Sequence, residues 1–193
     1  MRFGVKLCLL WLRISCNISH KVHNLESIDS SQPSIILSRH ESTWEALAFH
    51  SIFPLQINVV KKELKKIPFF GFILGTIESI VIDRKQALKA IKHIKKKGTQ
   101  AIQNGFWVVI FPGGTRVSPG KPTEVQSGGV IFAKQVNVPI YLVTHNAGTV
   151  WPKGTFIKQP GIIEVYIKPL DNIENKTLQT IRSEAQSWFQ KQY

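Results

Sequence analysis

The sequence is poor in cysteine and in acidic side chains. Its 193 residues include only two cysteines, Cys8 and Cys16. A disulfide framework is therefore excluded, and no cysteine–histidine group has the spacing of a zinc site, so we expect a reducing compartment and no bound metal. The 12 acidic residues are outnumbered by 25 lysines and arginines, which leaves a formal charge of +13. A surface this positive attracts phosphate, whether on nucleic acid, on anionic lipid or on a small substrate.

The sequence also lacks a long uninterrupted apolar stretch. The apolar side chains of residues 1–18 are interspersed with Arg2, Lys6 and Arg13, whereas a membrane-spanning helix needs about 20 predominantly apolar residues. A signal peptide is disfavoured, because residues 14–18 form a poor cleavage site. Two interpretations of the N-terminal segment, residues 1–32, remain open: an ordinary helix packed on the core, or a helix lying in the headgroup layer of a membrane.

What is present indicates one folded α/β domain, which we place at residues 33–193. Hydrophobic residues make up 43% of the chain and charged residues 19%, which is enough apolar material for a packed core. Short continuous apolar runs, typical of strands buried on both faces, alternate with stretches of helical periodicity. This order predicts a single domain with a largely parallel or mixed central sheet flanked by helices.

The predicted strands cover residues 35–37, 57–60, 80–82, 107–111 and 140–143, followed by an edge or mixed strand at 161–168. The predicted helices cover residues 43–53, 85–103, 128–136 and 174–192. Inward positions are predicted at Leu88, Ile91, Ile94 and Ala101 or Ile102 in the second helix, and at Leu178, Ile181, Ala185 and Trp188 in the last. Because chemistry in such sheets gathers at the carboxyl ends of strands, the loops after 35–37 and 107–111 are the candidates for a site.

The first of these loops contains His40 and Glu45. Ser42 and Glu45 have the spacing of a capping box, in which the serine caps a helix and the glutamate returns to the serine N–H. The same turn also brings the carboxylate toward His40, where it would fix the tautomer so that the free nitrogen takes a proton from a hydroxyl. No G-x-S-x-G nucleophile elbow is present, so a histidine–acid pair acting directly on a bound alcohol is the simpler chemistry.

The second loop contains Gly113, Gly114, Thr115 and Arg116. The glycines let backbone N–H groups approach a ligand, and the guanidinium offers a planar fork for phosphate. A plain Gly-Gly turn with a solvated arginine is the alternative. The loop lacks the Lys-Ser/Thr ending of a nucleotide-binding P-loop, so a nucleotide is not expected.

The order of these signals resembles the 1-acylglycerol-3-phosphate acyltransferases, the PlsC-like lysophospholipid acyltransferases. Residues 39–46, RHESTWEA, are similar to the family's first block, H-x-x-x-x-D, with Glu45 as the acid. The second block is similar to segments of residues 62–84, the third, F-P-E-G-T-R, to residues 111–116, and the fourth, a V-P-hydrophobic segment, to residues 138–140. The blocks occur in the family's order.

The resemblance implies transfer of a fatty acyl group from a thioester of coenzyme A or acyl carrier protein to the sn-2 hydroxyl of lysophosphatidic acid, giving phosphatidic acid. His40 would be the general base and Glu45 its partner, with no cofactor other than the thioester co-substrate. The substrate-binding residues that the resemblance implies are Gly113, Gly114, Thr115 and Arg116, with Arg84 and Lys62 as weaker candidates.

One position departs from the family pattern, because Gly113 stands where the third block has glutamate. This substitution supports an alternative function, that of a non-catalytic or weakly active lipid- or phosphate-binding relative. If Gly113 has a positive φ, a glutamate there would be strained.

The positive charge is concentrated in residues 61–97, which hold eleven basic and three acidic residues. We expect this region and the N-terminal segment to bind an anionic membrane surface, placing the protein peripherally on the cytoplasmic face of a membrane, the inner membrane in a bacterium. A solvated charged face is the alternative. Nucleic acid is not an expected partner, because the sequence has no helix-turn-helix, zinc signature or basic–aromatic interleaving.

Overall fold

A computed structural model describes residues 2–66, 79–83 and 85–190. Seven strands in this part of the chain form one sheet, in the order β1-β7-β6-β2-β5-β3-β4. They are β1 (Ile18–His23), β2 (Ile35–Ser38), β3 (Gln56–Lys61), β4 (Ser79–Ile82), β5 (Trp107–Ile110), β6 (Ile140–His145) and β7 (Gly161–Pro169). The α/β class, the six predicted strands and the mixed sheet are confirmed.

Helices cover both faces of the sheet. They are α1 (Arg2–Cys16), α2 (Trp44–Ile52), α3 (Ala87–Gln103), α4 (Ser127–Gln135), α5 (Ala147–Val150) and α6 (Leu178–Gln190), with 3₁₀ turns at Leu25–Ser27, Lys62–Lys66 and Ile173–Asn175. The four predicted helices are confirmed to within about one turn. The predicted end of the last helix, residues 191–192, lies outside the described residues.

Strand β1 is a structural element that the sequence did not predict. Its composition is polar, with His20, Lys21 and His23 among six residues, so it has no continuous apolar run. Pairing with β7 holds it in place, in a parallel register that sets Ile18 against Gly161.

The direction of β7 decides what lies beside the two candidate loops. Strands β2 to β6 are parallel, and β7 is antiparallel to β6, with Val165 opposite His145. Strand β7 therefore starts at the edge where β2 to β6 end, which we call the carboxyl edge. Because β1 is parallel to β7, the C-terminal end of α1 lies at this edge too.

The two faces of the sheet bury different kinds of side chain. Under α3, α4 and α6 the core is mostly aliphatic. The other face, under α1, α2 and α5, is rich in aromatic rings, including Trp44, Phe49, Phe53, Trp107 and Tyr141. The aromatic layer is the one that packs against the first candidate loop.

Two predicted inward positions are wrong. Leu88 is 85% exposed, because the buried stripe of α3 is centred on Ala90, Ile94 and Ala101, which lie about 120–160° around the helix from Leu88. Leu178 is 43% exposed, because it lies at the very start of α6. The predicted positions Ile181 and Ala185 are buried.

Helix α1 packs on α2 and β1 through only part of its surface. Val5 and Leu12 are buried. One face of the helix remains exposed and carries five large apolar side chains: Phe3, Leu7, Leu10, Trp11 and Ile14. Across the described ranges, no helix has the length and apolar character needed to span a membrane.

Candidate active site

His40 lies where β2 ends, and Glu45 lies in the first turn of α2. Nδ1 of His40 is 2.7 Å from Oε1 of Glu45, whose side chain is fully buried, while 22% of the His40 side chain is exposed. A carboxylate only accepts hydrogen bonds, so Nδ1 donates and Nε2 remains as the basic nitrogen. The ring of Phe111 stacks on the imidazole with 4.2 Å between centroids. This arrangement holds one basic nitrogen in a fixed orientation, as proton abstraction requires.

The capping interaction and the histidine–acid pair coexist. Oε1 of Glu45 accepts the backbone N–H groups of Glu41 and Ser42, both at 2.8 Å, in addition to His40. The serine half of the predicted capping box differs, because Oγ of Ser42 accepts the N–H of Trp44 at 3.2 Å. One carboxylate oxygen therefore accepts the backbone N–H groups just before α2 and also orients the imidazole.

Glu45 is ionised at neutral pH. Burial by itself would raise the pKa of Glu45, but the nearby imidazole of His145 and the hydrogen bond from His40 outweigh it, so the pKa lies below its usual value. The carboxylate is thus held in the form that accepts from Nδ1 and stabilises an imidazolium.

The loop after β5 is hydrogen-bonded to the loop that holds the His40–Glu45 pair, which we call the dyad. The N–H of Val117 donates to the carbonyl of His40 at 2.8 Å. Nη1 of Arg116 donates to Oγ1 of Thr43 at 2.9 Å, which places the guanidinium beside the start of α2. Its other N–H groups have no acceptor within the described residues, so they are free to bind a phosphate.

The two glycines of this loop differ in what they allow. Gly114 donates to the carbonyl of Phe111 at 2.9 Å and has φ 73°, a conformation that favours glycine. The condition under which a glutamate at position 113 would be strained is not met, because Gly114 has a positive φ and Gly113 does not. A Cβ at position 113 would lie 2.8 Å from Cγ2 of Thr123, so lack of space rather than backbone strain limits this position.

The weaker candidates are placed less favourably. Lys62 forms an exposed ion pair with Asp83 at 2.6 Å, and this hydrogen bond raises the pKa of Lys62. Within the described ranges no contact joins Lys62 to His40 or Arg116. Arg84 lies outside the described residues. Thr115 is exposed in the loop after β5.

A buried ion pair joins the two residues on either side of His40, Arg39 and Glu41. The sequence patterns indicated no role for it. Nε of Arg39 is 2.5 Å from Oε1 of Glu41. The other Arg39 N–H groups donate to the carbonyls of Lys121 and Phe189, and Glu41 accepts the N–H of Gly148 at 3.0 Å. These contacts join the first loop to three distant parts of the chain, a pairing with no local sequence signal.

His145, the last residue of β6, supports the same backbone. Its Nδ1 accepts the N–H of Ala147 at 3.3 Å, so its Nε2 donates to the carbonyl of Arg39 at 3.1 Å. A histidine at the end of a buried strand, on the same edge as His40, was the signal that could have identified it.

Comparison with known proteins supports the same interpretation. A family model described as Acyltransferase matches residues 19–146. The chain belongs to the acyltransferase family. It is 37% identical over 183 residues to a 1-acyl-sn-glycerol-3-phosphate acyltransferase of Pseudomonas aeruginosa, covering 93% of this chain and 71% of that protein. A plant enzyme of the same name from Limnanthes alba is 29% identical over 150 residues, which are 77% of this chain and 53% of that one.

The fold of this acyltransferase is shared with a solved structure. The crystal structure of the 1-acyl-sn-glycerophosphate (LPA) acyltransferase PlsC from Thermotoga maritima superposes with a TM-score of 0.79 at 21% identity, covering 98% of this chain and 75% of that chain. The predicted family and fold are confirmed.

Proposed function

We propose that this acyltransferase transfers a fatty acyl group from a thioester to the sn-2 hydroxyl of 1-acylglycerol 3-phosphate. The observation that carries the proposal is the oriented His40–Glu45 pair with the forked Arg116 at the next loop. The names of the relatives add support for the acceptor, because both are called 1-acyl-sn-glycerol-3-phosphate acyltransferase.

In the proposed reaction, Nε2 of His40 takes the proton of the acceptor hydroxyl as its oxygen attacks the thioester carbonyl carbon. The new C–O bond forms, the C–S bond then breaks, and the departing thiolate recovers the proton from the imidazolium. Glu45 stabilises the imidazolium between these steps. Thiols ionise near pH about 8.5, so the sulfur is a fair leaving group.

The developing oxyanion needs hydrogen-bond donors. The N–H of Gly114 is already used by the carbonyl of Phe111. The N–H of Gly113 has no acceptor within the described part of the chain, so we assign it as the candidate donor.

Arg116 binds the acceptor phosphate in this proposal, with Arg84 and Lys62 as weaker candidates. Replacing Arg116 by lysine keeps the charge but loses the planar fork. The KM for lysophosphatidate should therefore rise more than the KM for the thioester. Equal changes for both substrates would contradict the assignment.

The substrate is a lipid, so we also propose peripheral attachment to an anionic membrane surface, on the cytoplasmic face and at the inner membrane in a bacterium. The exposed apolar face of α1 supports this. So does the row of exposed lysines on α3, which are Lys89, Lys92, Lys95, Lys96 and Lys97. Binding to vesicles should fall as salt rises, since exposed charges are screened within about 8–10 Å at physiological ionic strength.

The deciding experiment measures thiol release from acyl-coenzyme A and acyl carrier protein thioesters of several chain lengths, with and without lysophosphatidate. We expect release that depends on lysophosphatidate and is matched by phosphatidic acid. Lysophosphatidate binding without any thiol release would instead support the non-catalytic alternative.

A second test addresses the missing glutamate. The variant Gly113→Glu should be destabilised, because the new Cβ meets Cγ2 of Thr123. Adding Thr123→Ser removes that methyl group, so the double variant should recover thermal stability relative to Gly113→Glu. If the double variant turns over faster than wild type, the wild-type site has lost a useful carboxylate. If wild type is active and the double variant is no faster, this chain works without the acid.

A further inference from the structure

Residues 151–160 present two apolar side chains to solvent at the carboxyl edge. Phe156 is 92% exposed and Ile157 is 72% exposed. Exposed apolar side chains next to each other are typical of an interaction surface. The segment contains two lysines, Lys153 and Lys158, and no acidic residue.

The segment has a defined local structure. The hydroxyl oxygen of Thr155 lies 2.9 Å from the carbonyl oxygen of Ile157 and 3.2 Å from that of Pro152, so its single hydrogen bonds within the loop. Gly154, with φ 79°, provides the turn. The N–H of Gln159 donates to the carbonyl of Val150 at 2.8 Å, which closes the base of the loop. Phe156 and Ile157 are thus displayed by a hydrogen-bonded loop.

Aromatic and cationic groups surround this tip. Nζ of Lys158 is 4.3 Å from the ring centroid of Trp151 and 5.0 Å from that of Phe156. A bilayer surface has a headgroup layer outside its hydrocarbon layer. The loop has the same order, because Lys158 and Trp151 suit the headgroups and the apolar tip suits the hydrocarbon. The positive charge without acidic neighbours fits anionic headgroups.

The loop lies next to the candidate site and to α1. Nζ of Lys153 donates to the carbonyl of Arg116 at 3.3 Å. At the end of the loop, the N–H of Gly161 donates to the carbonyl of Asn17, the residue after α1, at 3.1 Å. Docking through the loop would therefore bring Arg116 and the end of α1 to the same surface.

We propose that residues 151–160 are a membrane-docking loop that inserts Phe156 and Ile157 into the apolar layer of an anionic phospholipid bilayer. Lys153 and Lys158 lie at the headgroups, and the carboxyl edge faces the membrane. This inference deepens the proposed function, since it says how the site reaches a lipid acceptor, but the binding it describes needs no turnover.

Vesicle sedimentation tests the proposal without any substrate. The probe is a vesicle of phosphatidylcholine and phosphatidylglycerol that contains no lysophosphatidate. The double variant Phe156→Ser/Ile157→Ser should partition at least about tenfold more weakly than wild type, because it no longer transfers two apolar side chains from water into the bilayer. Thermal melting confirms that the variant is folded. Unchanged partitioning of the folded double variant would overturn the proposal.

A matched control is Leu55→Ser. Leu55 is 52% exposed and lies just before β3, at the edge of the sheet opposite the carboxyl edge. Its partitioning should equal that of wild type. If Leu55→Ser weakened binding as much as the double variant, docking would not be specific to the loop and the proposal would fail.

Charge is tested by Lys153→Gln/Lys158→Gln. This variant should bind anionic vesicles more weakly than wild type and bind pure phosphatidylcholine vesicles equally well. If wild type and the variant each bound anionic and pure phosphatidylcholine vesicles equally well, the role of the lysines would be contradicted.

Insertion depth gives a direct readout. In a Cys8→Ser/Cys16→Ser background, Phe156→Cys is labelled with a polarity-sensitive fluorophore. Anionic vesicles should shift its emission to the blue, and lipids with a quencher on the acyl chain should quench it, whereas a Leu55→Cys label should not respond. The absence of both responses at position 156 would rule out insertion.

Two further measurements separate the possible causes of failure. On monomeric short-chain lysophosphatidate the Phe156→Ser/Ile157→Ser variant should keep wild-type turnover, and its turnover should fall only on acceptor embedded in vesicles. If wild type turned over neither acceptor, the proposed function would be contradicted, and the vesicle-binding data would still test the loop.

Sedimentation velocity without lipid tests whether the loop instead binds a second copy of the chain. If wild type is a dimer that this variant breaks, the loop binds a second copy and the membrane proposal is overturned.

Discussion

Two histidine–glutamate pairs in the described part of the chain each combine a short contact with a stacked aromatic ring, although His40 uses Nδ1 and His23 uses Nε2. In one, His40 is 2.7 Å from Glu45 and stacks on Phe111; in the other, His23 is 2.5 Å from Glu164 and stacks on Tyr166. They differ in burial. The Glu45 side chain is fully buried, whereas both side chains of the other pair are 28% exposed.

The environment of the carboxylate explains why only one pair is a candidate dyad. Glu45 is fixed by two backbone N–H groups and excluded from water, so its charge acts on His40 at low screening. The second pair is reached by solvent, where exposed ion pairs contribute little. His23 also ends β1, so it lies at the edge of the sheet opposite the loops of the candidate site. A histidine beside an acid is therefore not enough without immobilisation and position.

The largest difference between the pairs should appear on removal of the imidazole. His40→Ala should lower kcat by at least about 10²-fold, the scale of general-base loss. His23→Ala should leave kcat within about twofold. Thiol-release kinetics on both folded variants measure this, and an active His40→Ala enzyme would falsify the mechanism.

Neutralising the carboxylates should give the next largest effect. Glu45→Gln should lower kcat by about tenfold or more, because the imidazolium loses its partner charge. It should also lower Tm by about 2–4 °C, since a weakened helix cap costs about 1 kcal/mol. Glu164→Gln should change neither value appreciably. If the two variants behaved alike, burial would not be what distinguishes the pairs.

Acid should reveal the contribution of Glu45 to stability. The pKa of Glu45 is lower in the folded protein than its usual value of 4.5, so its contribution to stability is complete above about pH 4.5 and is lost as the pH falls through the lowered value. The difference in Tm between wild type and Glu45→Gln should therefore shrink as pH falls below about 4.5. A difference that stayed constant from pH 7 to pH 3 would contradict this.

The smallest effect should come from the stacked rings. Phe111→Leu removes the ring on His40 and should lower kcat by several-fold, with a loss of about 1 kcal/mol of stability from altered packing. Tyr166→Leu, on the second pair, should leave kcat unchanged. Equal kinetic effects would show that stacking does not orient His40.

Much of the fold was predictable from local patterns. Continuous apolar runs identified the buried strands, because a strand covered on both faces leaves no polar position in its interior. Strand β1 escaped because its stability comes from pairing with β7 rather than from its own composition. Leu88 and Leu178 were misplaced because a helical stripe fixes only which residues share a face, and the ends of a helix can extend past the core.

The candidate site was predictable to a similar degree. His40, Glu45 and Arg116 lie in short motifs at strand ends, and a motif within one turn sets its own geometry. The Arg39–Glu41 network and the contact between Lys153 and Arg116 join residues far apart in sequence, so no local pattern indicated them.

The sequence by itself determined six of the described strands, four of the described helices, the loops that hold the candidate site and the family of the chain, because these depend on periodicity and on residues a few positions apart. Only the tertiary structure decided that the limit at Gly113 is the methyl group of Thr123 and not a strained backbone. It also decided which histidine–glutamate pair is immobilised, and it placed residues 151–160 and the end of α1 at the carboxyl edge. These are consequences of which segments meet across the sheet, and packing between distant segments sets burial, space and direction.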